Sequence, residues 1–168
     1  MIRLASKNDL SAINRIHNQA IEQGFQTAQI IPFSTQQRIK WFEEHSSHKY
    51  PVFVFEKNHE ILAWSSISPY RAGRDALNEV AEISYYVDRN HHNQGIGSQL
   101  MECCLTQAAE LKKRIYFAVI IDGNEQSLAL LKKFGFEQWG YLPEVINFRG
   151  EKRGQFYMGK IVKNFNDQ

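Results

Sequence analysis

A strand, a glycine-containing loop and a helix follow one another directly in residues 80–100, and this succession is the strongest constraint on the fold. The strand reads VAEISYYV, the loop reads DRNHHNQGIG with glycines at Gly95 and Gly97, and the next stretch, SQLMECCLTQAAEL, favours a helix. Such a loop directs backbone N–H groups and the positive end of the helix dipole towards one point. The sequence therefore predicts a phosphate or pyrophosphate site here.

Two common phosphate-binding loops do not match this segment. A Walker-type loop needs Lys and then Ser or Thr after its last glycine, whereas Gly97 is followed by Ser98 and Gln99. A dinucleotide-binding fingerprint needs a third glycine three residues after Gly97, where this chain has Leu100. We therefore expect the loop to bind a diphosphate without nucleotide-hydrolysis chemistry.

The composition is that of a single domain covering residues 1–168. A hydrophobic content of 43% is enough for one sizeable core at this length. The 20 basic and 18 acidic side chains nearly cancel, so we expect no nucleic-acid partner, and we interpret the basic residues 112–114 as a solvated helix C-terminus. No apolar stretch reaches transmembrane length and the N-terminus does not resemble a signal peptide, so no membrane association is expected.

The spacing of cysteines and histidines predicts no metal site. Cys103 and Cys104 are adjacent, and His91 and His92 are neighbours in a loop, so neither a CxxC nor an HxxxH spacing is present. We interpret the cysteines as packing residues of a helix rather than as a nucleophile or a redox switch. A chain without a disulfide framework is expected to be a reduced, cytoplasmic protein.

Hydrophobic periodicity predicts an α/β fold with the element order β-α-α-β-β-β-α-β-α-β-β. Strands are expected at residues 2–5, 52–56, 61–68, 80–87, 114–121, 136–145 and 155–162, and helices at 7–23, from the Ser34 cap to about His45, after the glycine loop, and at 125–134. Gly24 is expected to end the first helix, and the polar turn at residues 57–60 to join two strands. This order predicts a mixed sheet flanked by helices.

One carboxylate, Glu82, interrupts the apolar strand directly before the loop. Because side chains alternate along a strand, Glu82, Ser84 and Tyr86 are expected on one face. A carboxylate in mid-strand must be hydrated, paired or functional. The residues alone leave these three alternatives open.

The succession of these elements, together with an asparagine that opens the helix ending in Phe134-Gly135-Phe136, resembles the GNAT family of N-acetyltransferases over nearly the whole chain. The pyrophosphate loop of that family is matched by residues 92–97, with His92 in place of the usual Gln or Arg. The segments AWSSISPYRAGRDALNEVAEISYYV and GFEQWGYLP are similar to the phosphinothricin acetyltransferase and L-amino acid N-acyltransferase branch. That branch acetylates amino groups of amino-acid-like substrates, including methionine sulfone and methionine sulfoximine.

The resemblance implies a mostly antiparallel, twisted sheet, acetyl-CoA as the co-substrate, and the site residues. Glu82 would be the general base that deprotonates the attacking amine. The residues expected to bind the cofactor are Tyr85, Val87, His92, Asn93, Gln94, Gly95, Ile96, Gly97, Ser98, Asn124 and Ser127. Many relatives carry a tyrosine seven residues after the asparagine as the proton donor to the CoA thiolate. Here that position is Leu131, so another group would protonate the thiolate or it would leave without that acid.

The resemblance also suggests how a small-molecule amine would be recognised. Arg71 and Arg74 lie where the branch carries an arginine that can pair with the substrate carboxylate, and Phe25 could line an apolar side of the pocket. Near the C-terminus, Arg153 and Gly154 replace a His-Asp pair of phosphinothricin acetyltransferases, which leaves acceptors other than phosphinothricin open.

Two alternatives to a small-molecule acetyltransferase remain at this stage. The chain could be a non-catalytic module that binds acyl-CoA or another protein, or an acetyltransferase acting on a peptide or protein amine. The departures at His92 and Leu131 favour the first alternative slightly, whereas Glu82 favours an enzyme. The aromatic C-terminal strands also suggest a homodimer.

Overall fold

One seven-stranded sheet organises residues 1–162, the part of the chain that the computed structural model describes. The strands are β1 (Ile2–Leu4), β2 (Val52–Lys57), β3 (Glu60–Pro69), β4 (Val80–Val87), β5 (Ile115–Ile121), β6 (Glu137–Phe148) and β7 (Glu151–Ile161). Their order is β1-β2-β3-β4-β5-β7-β6, with β4 and β5 parallel and the other neighbours antiparallel. The predicted α/β class with a mixed, mostly antiparallel sheet is confirmed.

Helices pack on both faces of this sheet. They are α1 (Leu10–Gln23), α2 (Thr35–Glu43), α3 (Ile96–Thr106) and α4 (Glu125–Lys133). Alternation along β2 shows the two layers, because Val52 and Val54 pack with α1 while Phe53 and Phe55 join the core formed with α3 and α4. None of the helices in the described part is long and apolar enough to cross a membrane.

The hairpin of β6 and β7 is longer than predicted. The sequence suggested strands at 136–145 and 155–162, whereas β6 continues to Phe148 and β7 begins at Glu151. Arg149 and Gly150 connect them with φ angles of 53° and 106°. A two-residue turn with positive φ matches the twist of paired strands, and an arginine in its first position gives little signal in the sequence.

The interpretation of residues 112–114 as a solvated helix end is wrong for Lys113. Helix α3 ends at Thr106, before this cluster, and only 2% of Lys113 is exposed. Its ammonium donates to the Asn78 carbonyl at 2.6 Å and lies 4.6 Å from the centre of the Tyr50 ring. Lys113 therefore connects this turn to the segments before β2 and β4.

A buried guanidinium stabilises the packing of α1 and α2 against the sheet. Arg38 is 2% exposed and lies 4.7 Å from the centre of the Phe33 ring and 4.6 Å from that of Trp41. Its Nη2 donates to Nδ1 of His17 at 2.6 Å, which fixes His17 as a neutral acceptor. Burial, together with the charge of Arg38, lowers the pKa of His17 to about 4, and burial lowers the pKa of Arg38 to about 10.

This cluster predicts a loss of stability in mild acid. His17 has a pKa of about 4 in the folded protein and 6.5 as a free side chain, so below pH 6.5 the unfolded chain binds the proton first. The stabilising contribution is therefore complete above pH 6.5 and declines towards pH 4, by roughly 3 kcal/mol in total. Denaturant unfolding at pH 7, 5 and 4 measures the decline.

The matched variant for this prediction is His17→Asn. Its side-chain oxygen can replace the Nδ1 acceptor but does not titrate, so its stability should fall less steeply between pH 6.5 and 4. Equal slopes for the two proteins would assign the acid sensitivity to other groups.

Candidate active site

The parallel strands β4 and β5 pair over a short stretch and then separate. Their register covers Val80, Ala81 and Glu82 opposite Ile115, Tyr116 and Phe117, although β4 continues to Val87 and β5 to Ile121. A cavity of about 440 Å³ lies along the separated part, lined by residues 83–87 of β4 and by Val119 and Ile120 of β5. The β4 backbone facing this cavity has no strand partner on that side.

The N-terminus of α3 lies at one end of the cavity. Gly95 stands before the first turn of α3 with a φ of 77°, and Asn93 also has a positive φ of 60°. The first N–H groups of a helix have no intrahelical acceptor and carry the positive end of its dipole. Residues 95–98 line the cavity, so this end can bind an anion such as pyrophosphate.

Neighbouring side chains hold the loop before α3 in place. Asp88 is buried and accepts hydrogen bonds from the Asn90 amide at 3.0 Å and from Gln19 at 3.1 Å, and it is paired with Arg15. Burial alone would raise the pKa of Asp88, but these hydrogen bonds lower it to about 2. His92 donates from Nε2 to the Val87 carbonyl at 3.0 Å. The loop is thus connected to both α1 and the end of β4.

Gly97 lies at a close approach between α3 and α4. A Cβ at this position would lie 3.2 Å from Cδ2 of Leu130 and 3.9 Å from Cε2 of Tyr85. A Cβ at Gly95 would meet nothing within 4 Å, so that glycine is favoured by its positive φ instead. Glycine is therefore favoured at the two positions for different physical reasons.

The opposite wall of the cavity contains Asn124, Ser127 and Tyr85. Asn124 caps α4, since its Oδ1 accepts from the Ser127 amide at 3.2 Å, and both residues line the cavity. The buried hydroxyl of Tyr85 has no hydrogen-bond partner in the described part of the chain, and burial raises the pKa of Tyr85 to about 12 despite the nearby Ser127 hydroxyl. An unpartnered hydroxyl is costly, so a polar ligand group here would be stabilising.

Glu82 occupies the last paired position before the strands separate. It lies opposite Ser68 of β3 and Phe117 of β5. Burial raises the pKa of Glu82, and its carboxylate makes no ion pair or hydrogen bond within the described residues. Glu79, by contrast, is exposed and accepts from Arg114 at 3.1 Å. Glu82 is therefore the uncommitted carboxylate of this strand.

An aromatic wall stands on the Glu82 face of the sheet, and two of its members, Phe117 and Trp139, were missed by sequence reasoning. The Phe117 ring stacks on Tyr70 with centroids 4.7 Å apart and meets Trp139 edge-on at 5.3 Å. Trp139 lies flat over β7 because Gly159 has no side chain, and a Cβ there would be 2.2 Å from the Trp139 ring. Phe117 lies opposite Glu82 only because of the β4–β5 register, and that register could not be derived from the sequence.

The loop after α1 contacts the β6–β7 hairpin through Phe25. The Phe25 ring lies edge-on to Phe148 with centroids 5.2 Å apart, and the Arg153 guanidinium lies 4.5 Å from its centre. Gln26, the next residue, lines the cavity. The contact therefore joins two segments that flank the separated strands.

The structure brings most of the predicted site residues together. Tyr85, Val87, His92, Asn93, Gly95, Ile96, Gly97, Ser98, Asn124 and Ser127 line the cavity, and Glu82 precedes its first lining residue, Ile83. Gln94 lies in the same loop but away from the cavity surface. Arg71 and Arg74 are exposed in the connection between β3 and β4, with Arg71 5.7 Å from the centre of the Tyr70 ring. Their assigned roles stay predictions.

No cluster of three or more potential metal-binding side chains occurs within residues 1–162. The described site instead consists of backbone amides, one uncommitted carboxylate and aromatic rings.

Two parallel strands that separate beside a helix N-terminus able to bind an anion are typical of one class of acyltransferases. The model of the acetyltransferase (GNAT) family matches residues 14–136, and the chain belongs to that family. It is therefore an acetyltransferase enzyme by family.

Relatives agree with this assignment along almost the whole chain. It is 34% identical to the putative phosphinothricin acetyltransferase YwnH of Bacillus subtilis, over 95% of this chain and 97% of that protein. It is 33% identical to the L-amino acid N-acyltransferase MnaT of Escherichia coli, over 86% and 83%. The structure of yncA from Salmonella typhimurium with its cofactor acetyl-CoA superposes with a TM-score of 0.91 at 27% identity, covering 98% and 95%.

The Asn124 cap predicts a measurable effect on stability. Asn124→Ala removes the acceptor for the Ser127 amide and should lower the free energy of unfolding by about 1 kcal/mol. Asn124→Asp retains an acceptor at the cap and should be close to the native protein. Denaturant unfolding measures both, and an alanine variant as stable as the native chain would mean that the cap contributes nothing.

Proposed function

We propose that this enzyme transfers the acetyl group of acetyl-CoA to the primary amine of a small amino-acid-like substrate. The separation of β4 and β5 carries the proposal, because it connects an anion-binding helix start with the uncommitted carboxylate of Glu82. Backbone N–H groups suit the pyrophosphate of a CoA thioester. An amine, which is mostly protonated near neutral pH, needs a base before it can attack.

The cavity residues fit acetyl-CoA with its pyrophosphate at the α3 N-terminus and its pantetheine chain between β4 and α4. The N–H groups of Asn93 and of residues 95–98 would hold the pyrophosphate, and Tyr85, Val87, Asn124 and Ser127 would flank the pantetheine chain. The unpartnered hydroxyl of Tyr85 supports this placement, since the pantetheine contains amide groups that can pair with it. When bound, acetyl-CoA supplies the acetyl group as an activated thioester.

The chain's own groups then act on the acceptor amine. Glu82 takes one proton from the ammonium group, directly or through water, and the free amine attacks the acetyl carbon. The C–S bond then breaks, the nitrogen gives up its second proton to become an amide, and the departing CoA thiolate takes up a proton directly or from water. Backbone N–H groups of β4 beyond Glu82, which have no partner in β5, can donate to the carbonyl oxygen as its negative charge develops. Leu131 is fully buried and cannot protonate the departing thiolate.

The arginines between β3 and β4 support a small acceptor with a carboxylate. Arg71 lies 5.7 Å from the centre of the Tyr70 ring, which stacks on Phe117 opposite Glu82. Arg71 and Arg74 make no ion pair within the described residues and remain candidates for binding the substrate carboxylate. An amino-acid acceptor also agrees with the names of the two relatives.

We extend the proposal to a cytoplasmic homodimer. Cys103 and Cys104 are both free thiols, as is typical of proteins in a reducing compartment. Strand β6 is an edge strand whose Trp139, Leu142 and Val145 are 43%, 42% and 52% exposed. Exposed apolar residues on a sheet edge favour association with another copy.

The experiment that tests the function is thiol release from acetyl-CoA with a panel of acceptors. The panel contains amino acids, methionine sulfone, methionine sulfoximine, phosphinothricin, polyamines and short peptides. We expect turnover with an amino-acid-like compound, because Arg71 and Arg74 can pair with a substrate carboxylate. A preference for peptides would contradict the small acceptor, and acetyl-CoA binding without turnover on any acceptor would favour a non-catalytic module.

Replacing Glu82 by Gln should lower kcat by about a hundredfold or more at neutral pH while leaving acetyl-CoA affinity unchanged. In the native enzyme the rate should fall at low pH, where Glu82 is protonated, and rise with pH as Glu82 loses its proton. The midpoint of this rise should lie above the ordinary pKa of 4.5, because burial raises the pKa of Glu82. The variant should lack this acid limb. Initial rates across pH and calorimetric titration with acetyl-CoA measure the two quantities.

The matched control is Glu79→Gln. Glu79 directly precedes β4, but it is exposed and paired with Arg114. It should retain the native rate and the native pH profile. A Glu82→Gln enzyme with the same profile as the control would remove Glu82 from the mechanism.

A further inference from the structure

A hydrogen-bonded pair outside the cavity, His45 and Ser68, lies on the Glu82 face of the sheet. The His45 Nε2 atom is 3.0 Å from Oγ of Ser68, and its Nδ1 atom is 2.8 Å from the Trp41 carbonyl oxygen. A carbonyl only accepts, so Nδ1 carries the hydrogen and Nε2 accepts from the Ser68 hydroxyl. The proton of Ser68 therefore points towards His45.

Ser68 connects this pair to Glu82. The two residues are direct partners in the β3–β4 register. Partners in antiparallel strands point to the same face with Cβ atoms about 4.5–5.5 Å apart. The lone pairs of the Ser68 oxygen are thus available to a Glu82 carboxyl group that has no other hydrogen-bond partner within the described residues. Glu82, Ser68 and His45 therefore lie in a row on one face of the sheet, with a hydrogen bond between Ser68 and His45 and strand register between Ser68 and Glu82.

His45 is held in this row by its own segment. Its ring packs on Trp41 with centroids 4.4 Å apart, and its backbone amide donates to the Phe42 carbonyl at 3.0 Å. Paired backbone bonds between Ser46 and Tyr50 fix the chain that follows. The ring is half-buried, so one side remains in contact with solvent.

We propose that Ser68 and His45 form a proton exit for Glu82. After Glu82 has taken a proton from the acceptor amine, its carboxyl O–H bond breaks and the proton passes, directly after a side-chain rotation or through one water, to Oγ of Ser68, while the Ser68 hydroxyl proton passes to Nε2 of His45. Glu82 is again a carboxylate, Ser68 is again neutral, and His45 is an imidazolium that releases one proton to water. Neither residue touches the substrate, and both act through Glu82, so the inference rests on the proposed function.

Burial and the neighbouring charges act on the row in opposite senses. Burial raises the pKa of Glu82 and lowers that of His45, which brings the two pKa values closer together than in the free side chains and reduces the driving force for this transfer. From α2 and its end, Glu44 and the Trp41 carbonyl favour the imidazolium, whereas Arg38 opposes it. The groups facing His45 from the sheet are Ser68 and, beyond it, Glu82.

The test compares Ser68→Ala and His45→Gln with a control, Ser66→Ala. Ser66 is on the same strand face but makes no bond to His45. Glutamine can retain bonds to Ser68 and Trp41 but cannot carry the proton. We expect kcat to fall about tenfold or more in both relay variants, with KM for acetyl-CoA unchanged, and to stay native in the control.

Buffer dependence separates a proton exit from a merely structural role. In the relay variants, added imidazole should raise kcat in proportion to its concentration, because an external base replaces the missing path, while the native enzyme should not respond. Native kcat in Ser68→Ala, or a loss of kcat that imidazole does not restore, would overturn the proposal.

A measurement on the resting protein keeps the relay testable apart from the function. Nitrogen NMR of His45 should show Nε2 as the acceptor, and Glu82→Gln should lower the His45 pKa because a facing negative charge is lost, whereas Glu79→Gln should not. If the native enzyme acetylates nothing, the proposed function fails. An unchanged His45 pKa in Glu82→Gln would instead show that Glu82 and His45 do not interact, and the proposed proton exit would fail.

Discussion

The incomplete pairing of β4 with β5 is the constraint on which the site depends. Each strand satisfies its backbone on the outer side, β4 with β3 and β5 with β7 along nearly all of its length. Separation therefore leaves only the inner edges unpaired, and these face a cavity rather than a dry core. The same separation places the start of α3 at one end and Glu82 at the other. The positions of the α3 N-terminus and of the Glu82 carboxylate thus both follow from the register between β4 and β5.

The two faces of the sheet differ around the site. The α3 and α4 side contributes Tyr85 and Asn124 to the cavity proposed to hold acetyl-CoA. The α1 and α2 side holds the polar and aromatic residues next to Glu82, with Arg38 and His17 buried behind them. The α1 and α2 side therefore has a smaller apolar cluster and more buried polar side chains than the α3 and α4 side.

The sequence predicted what is local and missed what depends on register. The strand, glycine loop and helix of residues 80–100 are encoded in neighbouring residues, so their order and most cavity-lining residues could be predicted. The position of Phe117 opposite Glu82, the ring of Trp139 over Gly159 and the bond between His45 and Ser68 join residues far apart in the chain. No periodicity signals such contacts. Lys113 was misjudged for the same reason, because its acceptor is a carbonyl 35 residues away.

The arrangement favours direct transfer over an acyl-enzyme intermediate. An intermediate would need a nucleophile in contact with the cavity, and the two thiols of the chain are poor candidates. Cys104 is fully buried behind the sheet, donates to Ser65 at 3.3 Å, and has its pKa raised by burial to about 12. Burial also raises the pKa of Cys103. A thiol that stays protonated does not attack a thioester. In the proposed direct transfer, acetyl-CoA and the amine are bound together, and Glu82 needs only to move protons.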